Sequence, residues 1–228
     1  ELELLPFVDR PARYMGGELE TDSDLSQGST LKLALVYPDL YEVGMSNLGL
    51  KVLRAAASGV SGVAIDRAFV PWPDAQSRMR ERGIPLYGLA SGCPLVEFDL
   101  VGITLQSELT YTNVLTVLDL AGIPLRASER GENDPLICGG GPNAVNPAVM
   151  APFFDFFVLG DGEAALQEVL HLLIGMNGQG ADRQQRLTSL AGIEGVYVPA
   201  LHGSDDQGRI GVRRIDKLAA YPEPDGLP

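Results

Sequence analysis

Histidine and cysteine are scarce in this sequence, and their scarcity removes most of the common metal chemistry. The 228 residues hold two histidines, His171 and His202, and two cysteines, Cys93 and Cys138, none of them close to another in the chain. No zinc or iron–sulfur ligand set can be assembled from them. Two distant thiols suit a reducing cytoplasm better than a disulfide framework. Positive charge is also thin, with 17 Lys plus Arg against 30 Asp plus Glu and a formal net charge of -13. A surface so acidic repels phosphate backbones, so direct nucleic-acid binding is not expected. No apolar run reaches the roughly 20 residues of a membrane-spanning helix, and the first residues lack the basic, apolar, small-residue order of a signal peptide. A cytoplasmic protein with no membrane segment is the expectation.

Two nucleotide fingerprints are missing as well. The chain has no G-x-x-x-x-G-K-[ST], and no G-x-G-x-x-G follows its first apolar strand. GDGEAA at 160–165 fits the relaxed form that ends in Ala, but it comes late in the chain. Internal repeats and low-complexity tracts are absent too.

What is present is an alternation of short apolar runs and helical patterns. The hydrophobic share of 45% is enough for a sizeable core, so one principal domain with extensions is expected. Residues 1–30 are largely polar and read as an arm lying on the domain, then a linker. The first strand, 31–37, is rich in Leu, Val and Tyr and is stopped by Pro38 and Asp39. A polar loop with Gly44 and Gly49 follows, and Ser46 or Asn47 can cap the helix that begins LGLKVLRAAA. Further strands are predicted at 63–72, 98–106, 135–138 and 154–159, and helices at 74–82, 110–121, 162–173 and 182–190. A strand at 195–201, a turn at 203–208 and an RIGVRRI strand come last, before the Pro-rich YPEPDGLP. The alternation from 31 to 176 is that of a flavodoxin-like or Rossmann-like doubly wound, mostly parallel α/β sheet, with residues 1–30 as arm and 177–228 as a C-terminal extension. An ending of this kind suggests a chain cut from something longer.

In such a sheet ligands sit outside the carboxyl ends of the strands. Four loops fall there: PDLYEVGMSN, QSELTYTN, GGGPNAVNP and GDGE. Gly44, Gly139, Gly140, Gly141, Gly160 and Gly162 remove side-chain bulk from that rim and would admit a flat or phosphorylated ligand, although tight turns alone also explain them. Glu42, Glu108 and Glu163 can serve there as acids or bases, or simply as solvated carboxylates near helix starts. Cys138 runs into the glycine loop, where it can touch a ligand or act as a small apolar filler. His171, within LQEVLHLL, reads as a core or boundary residue of a helix, and His202 lies in a turn. The residues describe a binding edge without a catalytic group.

Taken in order, PARYMGGE, YPDLYEVGMSNLGLKVL, VPWPD, GITLQSELTYTNVLTVLDLAGIPL, CGGGPNAVNP, GDGE and GVYVP closely resemble the N-terminal part of a family of radical SAM proteins with a cobalamin-binding-like domain. The resemblance covers nearly the whole chain. It implies a cobalamin-binding-like α/β domain ahead of a radical SAM barrel, which is its expected partner. That barrel would hold a [4Fe-4S] cluster on C-x-x-x-C-x-x-C and bind S-adenosylmethionine; this chain has no such motif. The implied activity is that of a methyl or sulfur transferase with no complete catalytic site in these residues.

Cobalamin carriers of the base-off type place D-x-H-x-x-G after the first strand, and here Tyr41 stands where the His would fall, between Asp39 and Gly44. Cobalamin, if bound, would therefore have no protein His ligand. By analogy the corrin would lie over residues 39–47, including Asp39, Tyr41, Glu42, Val43, Gly44 and Ser46. Its tail would run among Gln106, Ser107 and Thr110, then Gly139, Gly140, Gly141 and Pro142, then Gly160, Asp161, Gly162 and Glu163. The main alternative is a domain that has lost cobalamin and serves as a scaffold or substrate-docking platform. A free-standing flavodoxin-like domain for a flavin or nucleotide is a third reading. An open cleft between the loops favours a ligand, and a rim filled by Tyr41, Met45 and Phe153 favours the scaffold.

Overall fold

A computed structural model describes residues 4–17, 28–202 and 210–214. Six strands form one sheet: β1 Leu31–Tyr37, β2 Val63–Phe69, β3 Leu100–Thr104, β4 Leu136–Gly140, β5 Phe156–Val158 and β6 Val196–Tyr197. Their spatial order is β2-β1-β3-β4-β5-β6. The first five pair in parallel, and β6 joins β5 antiparallel. The α/β expectation is met, and the order of the parallel strands is flavodoxin-like, with its reversal between β1 and β3.

Strand periodicity decides which face each side chain serves. Leu31, Leu33, Leu35 and Tyr37 of β1 face one core with Leu100, Leu136, Cys138, Phe156 and Val158. Ala34 and Val36 face the other with Val101, Ile103, Ile137 and Phe157. The first core is covered by α2 Leu48–Ser58, α5 Gly162–Asn177 and α6 Arg183–Leu190, and the second by α3 Pro73–Arg82 and α4 Tyr111–Ala121. Leu4, Val8 and Tyr14 of the N-terminal arm are buried in that second core. The Tyr14 hydroxyl accepts from Trp72 N at 3.1 Å.

Local signals set the ends of the helices. Asn47 caps α2, its Oδ1 accepting from Leu50 N at 2.9 Å. Pro73 opens α3, and left-handed Gly83 and Gly122 close α3 and α4. The loop expected after β1 contains a five-residue helix, α1 Tyr41–Met45. β2 ends at Phe69 rather than 72, because Val70 N donates sideways to Asp39 O at 2.9 Å and Pro71 and Pro73 follow. The strand expected at 195–201 shrinks to two residues. Of the expected RIGVRRI strand, the described residues hold a single parallel bridge, Gly160 to Arg213. The expected turn at 203–208 and YPEPDGLP lie outside the described residues.

At the amino-terminal edge of the sheet Asp155, buried just before β5, accepts from Arg130 Nη1 and Arg183 Nη2 at 2.8 Å each. The two guanidiniums also donate to Pro124 O, Leu125 O, Phe153 O, Asp134 O and Pro135 O, which ties the connections around β4 to the sheet.

Candidate functional site at the strand ends

At the carboxyl edge a cleft of about 450 Å³ opens between α2, α5 and the sheet. Its floor follows from the two-residue period. Leu35, Gly102 and Thr104, Cys138 and Gly140, and Val158 and Gly160 are same-face positions at the ends of β1, β3, β4 and β5. Bulk is missing where Gly102 and Gly140 replace side chains on that face. A Cβ placed on Gly140 meets nothing within 4 Å, so this position points into open space. The walls are Leu50 and Leu53 of α2, Leu166 of α5, Gly141, Pro142 and Val145 after β4, and residues 160–163 after β5. The cleft lies at the β1/β3 reversal, where the fold receives ligands.

Several residues named from the sequence meet here: Gln106, Gly140, Gly141, Pro142, Gly160, Asp161, Gly162 and Glu163 all line the cleft. Gly160 has φ +101°, and a Cβ there would run into Arg213 O, since Arg213 N donates to Leu159 O at 2.8 Å and Asp161 N to Arg213 O at 3.0 Å. Residues 210–214 therefore brace the wall that carries Asp161. The Arg213 guanidinium reaches Glu168 of α5 and holds that carboxyl below its usual range.

Other named residues lie elsewhere. Gly139 is one position out of phase with Gly140, and a Cβ on it would meet the Phe157 ring at 2.6 Å and Phe154 at 3.1 Å. Ser107 and Thr110 form the turn before α4, with Thr110 Oγ1 donating to Ser107 O at 2.9 Å. Asp39, Tyr41, Glu42, Val43, Gly44 and Ser46 belong to the α1 loop and do not line the cleft. Asp39 Oδ1 accepts from Leu40 N at 2.7 Å, and Ser46 Oγ donates to Val43 O at 2.9 Å. Val43 is exposed. The Tyr41 ring meets Phe69 edge-on at 5.6 Å, and a Cβ on Gly44 would strike the same Phe69 ring.

Glu42 is bound by the arm, with Arg13 Nη2 at 2.7 Å and Arg10 Nη1 at 3.2 Å. The Arg13 hydrogen bond holds the Glu42 carboxyl below the usual carboxylate range, and Glu42 raises Arg13 in return. Glu108 is exposed and does not line the cleft, so Glu42, Glu108 and Glu163 do not gather there. Burial pushes the Cys138 thiol far above its ordinary pKa, which leaves it a neutral apolar part of the floor. Met45 packs into the core on the cleft side and Phe153 into the opposite one. Neither fills the cleft.

Sequence reasoning had not assigned Leu35, Leu50, Leu53, Gly102, Val145, Val158 or Leu166 to the site. The usable signal was Gly102, a glycine inside an otherwise apolar buried strand, which marks a close approach to the sheet. Among the described residues no three His, Cys, Asp or Glu side chains form a metal-binding group, and no helix is long and apolar enough to cross a membrane.

The family model for the N-terminal part of radical SAM proteins matches residues 49–199, well over half of the chain, from the first turn of α2 to just beyond β6. No curated protein and no solved structure matches the chain.

Proposed function

Because the chain belongs to the family of radical SAM proteins, as their N-terminal part, we propose that it is the cobalamin-binding-like module of a radical SAM methyl or sulfur transferase, seating the tail of the cofactor in the cleft at the β1/β3 reversal. The observation that carries this is the cleft itself: about 450 Å³, apolar, glycine-floored and at the ligand position of the fold.

The residues suit part of the group. The cleft has room for a planar base and sugar, held between Leu50, Leu53 and Leu166 on one side and Gly140, Gly141 and Val145 on the other. The corrin on this reading rests outside the cleft, toward residues 39–47. Tyr41 stands in the place of the His with its ring against Phe69, and a phenol is a poor replacement for imidazole toward cobalt. When bound, cobalamin supplies methyl-transfer chemistry; the chain's own residues bind the tail, exclude water from it and fix its direction. The family implies a [4Fe-4S] cluster and S-adenosylmethionine in the full protein. They belong to its radical SAM domain, since the two cysteines of this chain are distant and one is buried as a neutral thiol.

A second reading is favoured by a separate observation. Val43, Leu48, Leu109, Val145 and Val149 are exposed large apolar side chains, and all lie in the segments that follow β1, β3 and β4. That surface suits docking of another domain with or without a cofactor. Absorbance titration with hydroxocobalamin, followed by gel filtration, separates the two readings. A stoichiometric corrin spectrum retained with the protein is expected; a spectrum lost entirely to the free fraction, with the full-length protein as well, leaves the docking platform.

A further inference from the structure

The charged side chains in the cleft wall are Asp161 and Glu163, both acidic; among the described residues no Lys, Arg or His lines it. They occupy the place where a glycine-bearing α/β site ordinarily receives a phosphate, the first turn of the helix after a strand. α5 starts there, with Asp161 as N-cap and Glu163 inside the first turn. Two carboxylates in this position offset the positive end of the helix. They also repel any anion held against it, and the apolar walls around the cleft screen that repulsion poorly. In the first turn of α2, the other helix that opens on the cleft, Asn47 takes two of the N–H groups, Leu50 N on its Oδ1 and Lys51 N on its carbonyl, and no basic side chain of α2 lines the cleft.

We infer that Asp161 and Glu163 are specificity determinants that keep phosphate out of the cleft. The group seated there is an uncharged ring with its sugar, and a phosphodiester of the same ligand stays at the mouth in water. The GDGEAA run, which looks like the end of a dinucleotide fingerprint, thus has the opposite role: it rejects mononucleotides and dinucleotides whose phosphates would have to lie on α5. This rests on the reading of the cleft as a ligand seat and states which part of the ligand enters it.

The test uses a benzimidazole riboside and its 5′-phosphate, two probes that differ in one anionic group. Each is titrated by NMR into the protein and into the Asp161→Asn/Glu163→Gln double variant, whose side chains keep their shape and lose their charge. The protein should prefer the uncharged riboside by about tenfold or more, and the double variant should reduce that preference to about threefold or less. Equal or tighter binding of the phosphate by the protein overturns the inference, as does a preference that survives in the double variant. If neither probe binds while hydroxocobalamin is retained, the tail does not enter this cleft and the inference falls while cobalamin binding stands. If hydroxocobalamin also fails to bind, both fall together.

Discussion

Gly44 and Gly140 show how differently two glycines of the same rim behave. Gly44 is required by packing: its missing Cβ is the space taken by the Phe69 ring, which in turn meets Tyr41. Gly44→Ala should therefore lower stability by about 1–3 kcal/mol in urea unfolding, with little effect on any ligand. Asp155 is a costlier position. Replacing it with Ala would leave Arg130 and Arg183 buried without their shared carboxylate, and a loss of about 3–5 kcal/mol is expected in the same assay. Glu42 gives a pH signature. Its carboxyl is held low by Arg13, so the contact between arm and α1 loop is complete above the ordinary glutamate range and is lost only as pH falls below it. Arg13 lies over the Trp72 ring at 5.0 Å, and Trp72 is the chain's single tryptophan. As pH falls from neutral, Trp72 emission should stay constant through the ordinary glutamate range and change only below it. In Glu42→Gln the low-pH emission should already be present at neutral pH.

Elements with a strong periodic or capping signal are legible in the sequence. β1 spans the expected residues, and α3 and α4 differ from expectation by one residue at their starts, because Pro73, Gly83 and Gly122 mark their ends chemically. Asn47 and Ser46 were equal candidates to cap α2, and only geometry could choose. Asn47 caps, while Ser46 turns its hydroxyl back to Val43 O. Asn47→Ala should cost about 1 kcal/mol in thermal or urea unfolding, and Ser46→Ala much less. What remained illegible has a physical reason. α1 is one turn long, too short for a periodic pattern, and depends on Leu40 O receiving Val43 N and Gly44 N. β6 has two residues, and its antiparallel direction depends on the path of α5 and α6, which local sequence does not encode.

At the scale of the whole molecule, the sheet order places the β3, β4 and β5 ends together and turns the α1 loop toward β2 and the arm. The glycine loops of the candidate site were visible as a set because each follows an apolar run. The division between Gly140, facing the cleft, and Gly139, facing Phe157, needed the register of β4 against β3 and β5. The α2 and α5 walls were invisible in sequence, since Leu53 and Leu166 look like any core leucine until the helices are placed side by side. The brace at Arg213, donating to Leu159 O and accepting from Asp161 N, likewise joins residues some fifty positions apart.

The central claim is that this cleft seats the tail of a cobalamin, and Gly140 permits the most direct test. Its φ is not left-handed and a Cβ there meets nothing within 4 Å, so Gly140→Leu fills the cleft without disturbing the fold. Hydroxocobalamin retention after gel filtration should be stoichiometric for the protein and reduced at least about tenfold in affinity for Gly140→Leu, with unchanged circular dichroism. Equal retention by both proteins would contradict the claim, because the cofactor would then be held at some other place on the molecule.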